Sequence, residues 1–143
     1  MRSGLVCLLV LFAGVARAAE APPKATWTVE GKTHELAKES LKEGVPAVFG
    51  FLGSCSAETV PGGGKDYTKD DLKMARAGDH FRLVFGKAQT VEVMNKPVEV
   101  EELVVSSGAI WVRSGNKVRR FAKYDFKKGQ AFEAWLRNAA RVQ

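Results

Sequence analysis

Cysteine is nearly absent: the 143-residue chain has two, Cys7 and Cys55. Cys7 sits inside an N-terminal segment that reads as removable, so the chain left after cleavage holds one thiol and no internal disulfide. Histidine is as scarce, with His34 and His80 the only two. With Cys55 they show none of the spacings that mark a zinc or copper site. No apolar run reaches the roughly 20 residues a permanent membrane-spanning helix needs. Internal repeats and low-complexity segments are missing too. Acidic residues run short at one end: residues 104–143 carry nine Lys/Arg against two Asp/Glu, or +7, whereas residues 19–103 carry 11 against 14, or −3. Such asymmetry marks a surface for an anionic partner, or a basic end that neutralises an acidic middle within one fold.

The N-terminus is the most legible segment. Met1-Arg2 is a short positive start, residues 5–13 are apolar, and Ala16-Arg17-Ala18 is a small-x-small cleavage site. Together they predict a secretory signal peptide cut after Ala18 and an exported protein, periplasmic or extracellular. Cys7 lies too early for a lipoprotein cysteine. Cleavage takes the 143 residues to 125, enough for one domain, residues 26–143, behind a flexible leader at 19–25 with Pro22-Pro23.

Residues 80–124 hold most of the β pattern. Phe81, Leu83 and Phe85 alternate with His80, Arg82 and Val84, the period of a half-buried strand. Val91 and Val93 then face a second segment across Asn95-Lys96-Pro97. A hairpin there sets Val93 opposite Val98 and Val91 opposite Val100, with Glu92, Glu99, Glu101 and Glu102 turned to water. Pro97, which has no N–H, argues against the tightest two-residue loop. A second hairpin turns at Gly115-Asn116 and pairs Arg113 with Val118 and Ile110 with Phe121. Ile110, Val112 and Phe121 share its core face, and Trp111, Arg113, Arg120, Ala122 and Tyr124 share the other.

Outside that stretch the signals are shorter. Residues 26–36 read as a small hairpin around Gly31-Lys32, or as a strand followed by a helix that begins after Thr33 and stops at Gly44. Residues 45–52 are a continuous apolar run whose length suits a core strand and equally permits a buried helix. Thr68 to Asp71 has the form of a capping box opening a short helix, with Gly78 closing it. Asp125 is a plausible N-cap for a last helix, whose Phe132, Trp135, Leu136 and Ala139 form an apolar stripe. The fold class expected is α+β: a meandering, mostly antiparallel sheet over about residues 80–124, short flanking helices and a C-terminal amphipathic helix.

Three patterns bear on chemistry. Cys55, in Ser54-Cys55-Ser56, follows an apolar run, the setting in which thiol peroxidases and thioredoxin-like proteins place a nucleophile. It lacks a second Cys two positions away, and Leu52 and Val48 stand where the peroxiredoxin pattern has Thr and Pro. Gly62-Gly63-Gly64-Lys65 fails as a phosphate loop, since Thr59 stands where the first Gly belongs and Asp66 where a Ser or Thr must follow the Lys. The face of Trp111, Arg113, Arg120 and Tyr124, with Lys117, Arg119 and Lys123 close by, combines an aromatic ring with guanidinium donors. These seven residues are the expected binding site. The expected function is an exported, non-enzymatic domain of the cell envelope that contacts an anionic polymer or an acidic protein surface, without cofactor or metal. Nucleic acid does not fit an exported chain without a recognition motif. The alternative is a small exported thiol enzyme using Cys55.

Overall fold

A computed structural model of the chain describes residues 21–63 and 65–141. The predicted signal peptide, Cys7 and Gly64 lie outside the described residues. Seven strands, β1 (Lys24–Val29), β2 (Lys32–Glu35), β3 (Ala57–Thr59), β4 (His80–Val93), β5 (Lys96–Ser106), β6 (Ala109–Ser114) and β7 (Lys117–Ala122), form one antiparallel sheet in the order β2-β1-β4-β5-β6-β7-β3. Among the described residues three helices accompany it: α1 (Lys38–Gly53), α2 (Lys69–Ala75) and α3 (Phe126–Arg141). The expected α+β architecture, with a meander from β4 to β7 and a helix at the C-terminal end, is the one observed. None of the described helices is long and apolar enough to cross a membrane.

Turn chemistry sets the hairpins. Glu30-Gly31 and Met94-Asn95 both take positive φ, the two-residue loop whose twist matches flanking strands. In the first hairpin Trp27 lies opposite His34: the turn is Glu30-Gly31, one residue before the expected Gly31-Lys32, and the helix that follows starts at Lys38 rather than after Thr33. β1 begins at Lys24, inside the stretch expected to be a flexible leader, and Ala25 is buried.

The hairpin of β4 and β5 corrects the expected register by two residues. Val91 faces Val98 and Val93 faces Lys96, which closes the tight loop that Pro97 argued against. Pro97 instead pairs with Glu92, one step beyond the closing pair. Ladder bonds alternate in an antiparallel pair, so β4 asks for no N–H at that position. Further along, the register shifts between Val84 and Gln89. Inward positions on β5 change from Val98 and Val100 to Leu103 and Val105. Glu101 and Glu102 fall at that change, and Glu102 is buried rather than turned to water.

Residues 45–52 form the second half of α1, not a strand. Leu41, Val48, Phe51 and Leu52 bury one helical face, and Pro46 is carried within the helix. Gly44 is no stop signal. The α1 backbone meets α3 there, and a Cβ at Gly44 would lie 2.0 Å from Cζ2 of Trp135. The expected stripe of α3 is in place: Phe132, Leu136 and Ala139 are buried against the sheet and α1, with Trp135 packed beside them. Asp125 caps the helix by accepting the Lys128 N–H at 3.1 Å.

On the opposite face of the sheet lies α2, opened by the expected capping box. Thr68 N–H donates to Asp71 at 2.7 Å and Asp71 N–H returns to Thr68 Oγ1 at 3.4 Å. The helix ends at a C-cap on Arg76, before Gly78, whose φ is not positive. Leu72 joins Val104 and Val118 in a second, smaller core, with Tyr67 and Trp111 at its rim.

Candidate functional site

Strand pairing lines up one transverse row on the face beneath α2. Thr26, Arg82, Val104, Trp111, Arg120 and Thr59 are successive cross-strand partners from β1 to β3. Beside it runs Val84, Glu102, Arg113 and Val118. The candidate basic face is therefore a real side of the sheet, but its charges are not equivalent.

Glu102 organises the second row. It is 4% exposed, yet three guanidinium groups reach it: Arg82 Nε at 2.6 Å, Arg76 Nη1 at 3.0 Å and Arg113 Nε at 3.0 Å. Burial pushes its carboxyl pKa up. Hydrogen bonds from Arg82 and Arg113, with the charges of Arg82 and Arg76, outweigh that, so Glu102 is held below the usual glutamate range. Arg113 also bonds Glu101 at 3.3 Å and the Gly115 carbonyl at 3.1 Å. It is a structural cation.

Arg119 pairs with core-facing Val112, so it lies on the other side of the sheet from Arg120, and it is committed as well. It grips Glu58 of β3 through two hydrogen bonds, 2.6 and 2.8 Å, and lies 5.2 Å from the Phe121 ring centre. That hydrogen bond is the main reason Glu58 titrates below its ordinary value. Tyr124 leaves the face altogether. Lys123 takes φ 57° just after β7, and the chain turns so that Tyr124 packs edge-on to Phe51, ring centres 4.6 Å apart, on the main-core side. Lys117 and Lys123 are exposed.

Arg120 differs from the others. Its guanidinium carbon sits 5.6 Å from the Trp111 ring centre, and Nη1 donates to Thr59 Oγ1 at 3.1 Å. Thr59 also donates to the Arg120 carbonyl at 3.3 Å and accepts from the Tyr67 hydroxyl at 3.0 Å. Tyr67 in turn packs edge-on against Trp111, ring centres 5.0 Å apart. Among the described residues Arg120 makes no ion pair. It lines a groove of about 340 Å3 with Asp71, Met74, Ser106, Ser107 and Trp111. Sequence reading missed Thr59 and Tyr67, which hold Arg120. Thr59 lies 61 residues away, and no local pattern announces the contact.

Cys55 is not in a nucleophile's setting. It follows the C-terminus of α1 rather than a strand, is 3% exposed, and its Sγ lies 3.8 Å from the Phe51 carbonyl. Burial pushes the thiol up to about 11, and a helix C-terminus disfavours a thiolate further. The thiolate fraction at pH 7 is thus at least about a hundredfold below that of a free cysteine. Iodoacetamide is expected to label Cys55 in denaturant and to leave it nearly unlabelled in the native protein at pH 8. Rapid native labelling would show a different environment. His34 and His80 sit on neighbouring strand pairs opposite Trp27 and Thr28, which turns them to opposite faces. Among the described residues no group of three His, Cys, Asp or Glu stands close enough to hold a metal. Gly62 and Gly63 lie in the loop between β3 and α2.

No protein-family model matches the chain, and no curated protein or solved structure matches it.

Proposed function

We propose that the chain is an exported, non-enzymatic binding domain of the cell envelope that takes an anionic group of a polymer or of an acidic protein surface on Trp111 and Arg120. The observation carrying this reading is the state of Arg120. Arg113 and Arg119 are neutralised by carboxylates, whereas Arg120 is stacked and pinned with no acid partner among the described residues. An arginine has five N–H donors, and Thr59 uses one of Arg120's. A guanidinium fixed in advance loses little freedom when it meets a carboxylate or phosphate. Trp111 adds a flat ring, and Ser106 and Ser107 line the same groove.

Arg120→Ala is expected to lower retention on envelope fractions stripped of phospholipid with detergent by about ten- to a hundredfold, the worth of a charge-assisted hydrogen bond. Arg120→Lys recovers part of it, and raising salt from about 0.05 M to about 0.3 M weakens the wild type more than the Ala variant. Arg113→Ala is the wrong probe, because it strips buried Glu102 of a partner. Equal retention of wild type and Arg120→Ala at both salt concentrations refutes the proposal.

A further inference from the structure

We infer that the start of α3 is a docking surface for an anionic phospholipid bilayer, separate from the Trp111–Arg120 face. Three observations converge there. Phe126 opens the helix 72% exposed, while Gly129 and Phe132, three and six residues on, are buried. Lys127 and Lys128 fill the first turn, and Lys123 stands just before it, all exposed and none in an ion pair among the described residues. That turn carries no acidic side chain. The helix dipole favours anions at an N-terminus, so two lysines there work against the fold's own electrostatics. Asp125 does not cancel them alone, being occupied as the cap of the Lys128 N–H. Residues that break a local rule without a gain inside the molecule are candidates for a role outside it.

The hairpin tip of β4 and β5 lies at the same end. Ser56 donates its hydroxyl to the Lys123 carbonyl at 2.8 Å, and lines one depression with Met94 and Asn95. Met94, 38% exposed, lines that depression together with Glu92. A protruding aromatic ring within a ring of lysines suits the headgroup region of a bilayer, where the ring enters the interface and the ammonium groups meet lipid phosphates. Recognition of a particular carboxylate pattern on a protein would favour held arginines. Here every cation is a flexible, strongly hydrated lysine.

The test is flotation of the purified protein with vesicles of phosphatidylcholine, with or without about a third phosphatidylglycerol. Wild type is expected to float with the anionic vesicles only, and to be released by about 0.3 M salt. Lys127→Gln with Lys128→Gln lowers partitioning by about twenty-five-fold, at about fivefold per charge, and Phe126→Ser lowers it by at least about fivefold. Thermal unfolding separates this from a structural role: removing the lysines leaves the midpoint unchanged or raises it. Arg120→Ala leaves flotation intact, so failure of the envelope-binding proposal and of this one are distinguishable. Equal binding to neutral vesicles, no binding by wild type, undiminished binding by the double variant, or a marked loss of its thermal stability each overturns the inference.

Discussion

Glu102→Gln is expected to destabilise the protein by about 3–5 kcal/mol, the cost of removing one partner from a buried, hydrogen-bonded ion cluster. Three guanidinium groups lose their shared carboxylate charge, and Arg113 keeps Glu101 and the Gly115 carbonyl. In urea the midpoint should fall by about 2 M with little change in slope. Arg76→Ala, which leaves two guanidinium groups on the carboxylate, costs only about 1 kcal/mol. The pH dependence has a definite sign. The folded carboxyl lies below its unfolded value of about 4.3, so its contribution is complete above that pH. As pH falls from there through the folded value, the unfolded chain takes up the proton first and stability is lost. The gap between wild type and Glu102→Gln should therefore narrow across that acid window. A constant gap would mean that Glu102 matters by shape and not by charge.

Gly44→Ala is the second large effect, and it opposes helix propensity. In an open helix the change gains about 1 kcal/mol. Here the new methyl would sit 2.0 Å from Cζ2 and 2.5 Å from Cε2 and Cη2 of Trp135. Carbon atoms need about 3.5–4.0 Å. The indole cannot retreat freely: its Nε1–H donates to the Ser40 carbonyl at 3.1 Å, and Phe81 and Phe132 flank the ring with centres 5.8 and 6.1 Å away. Net destabilisation of about 2 kcal/mol is expected, and more for Val. Trp135→Phe removes the atoms in the way, so the double variant should cost less than the two single costs summed, by about 1 kcal/mol. An Ala variant more stable than wild type would disprove the close approach of α1 and α3.

What the sequence disclosed depended on how local the cause was. Gly115-Asn116 sets the register of β6 and β7 within a few residues, and the observed pairs, Arg113 with Val118 and Ile110 with Phe121, are the expected ones. Thr68 and Asp71, and the stripe on α3, are equally short-range. The apolar run at 45–52 could not choose between strand and helix, because both bury a continuous hydrophobic segment. In the folded chain the run is helical, and Gly44 just before it lies against Trp135 of α3. The β4–β5 register is not legible locally, because the cost of Pro97 depends on which ladder positions use an N–H. The basic face was readable as a strand face, but not in its charge. Glu58, Glu101 and Glu102 neutralise Arg119 and Arg113 from other strands, which left Arg120 as the informative residue.

The two outermost strands are only four and three residues long. β2 reads Lys-Thr-His-Glu with every residue exposed, and β3 is clamped to β7 by the Glu58–Arg119 pair. A seven-stranded sheet without a disulfide would otherwise offer long open backbone to neighbouring copies. Stubby, charged outer strands give an incoming chain little to extend at those two margins, which disfavours edge-to-edge pairing there.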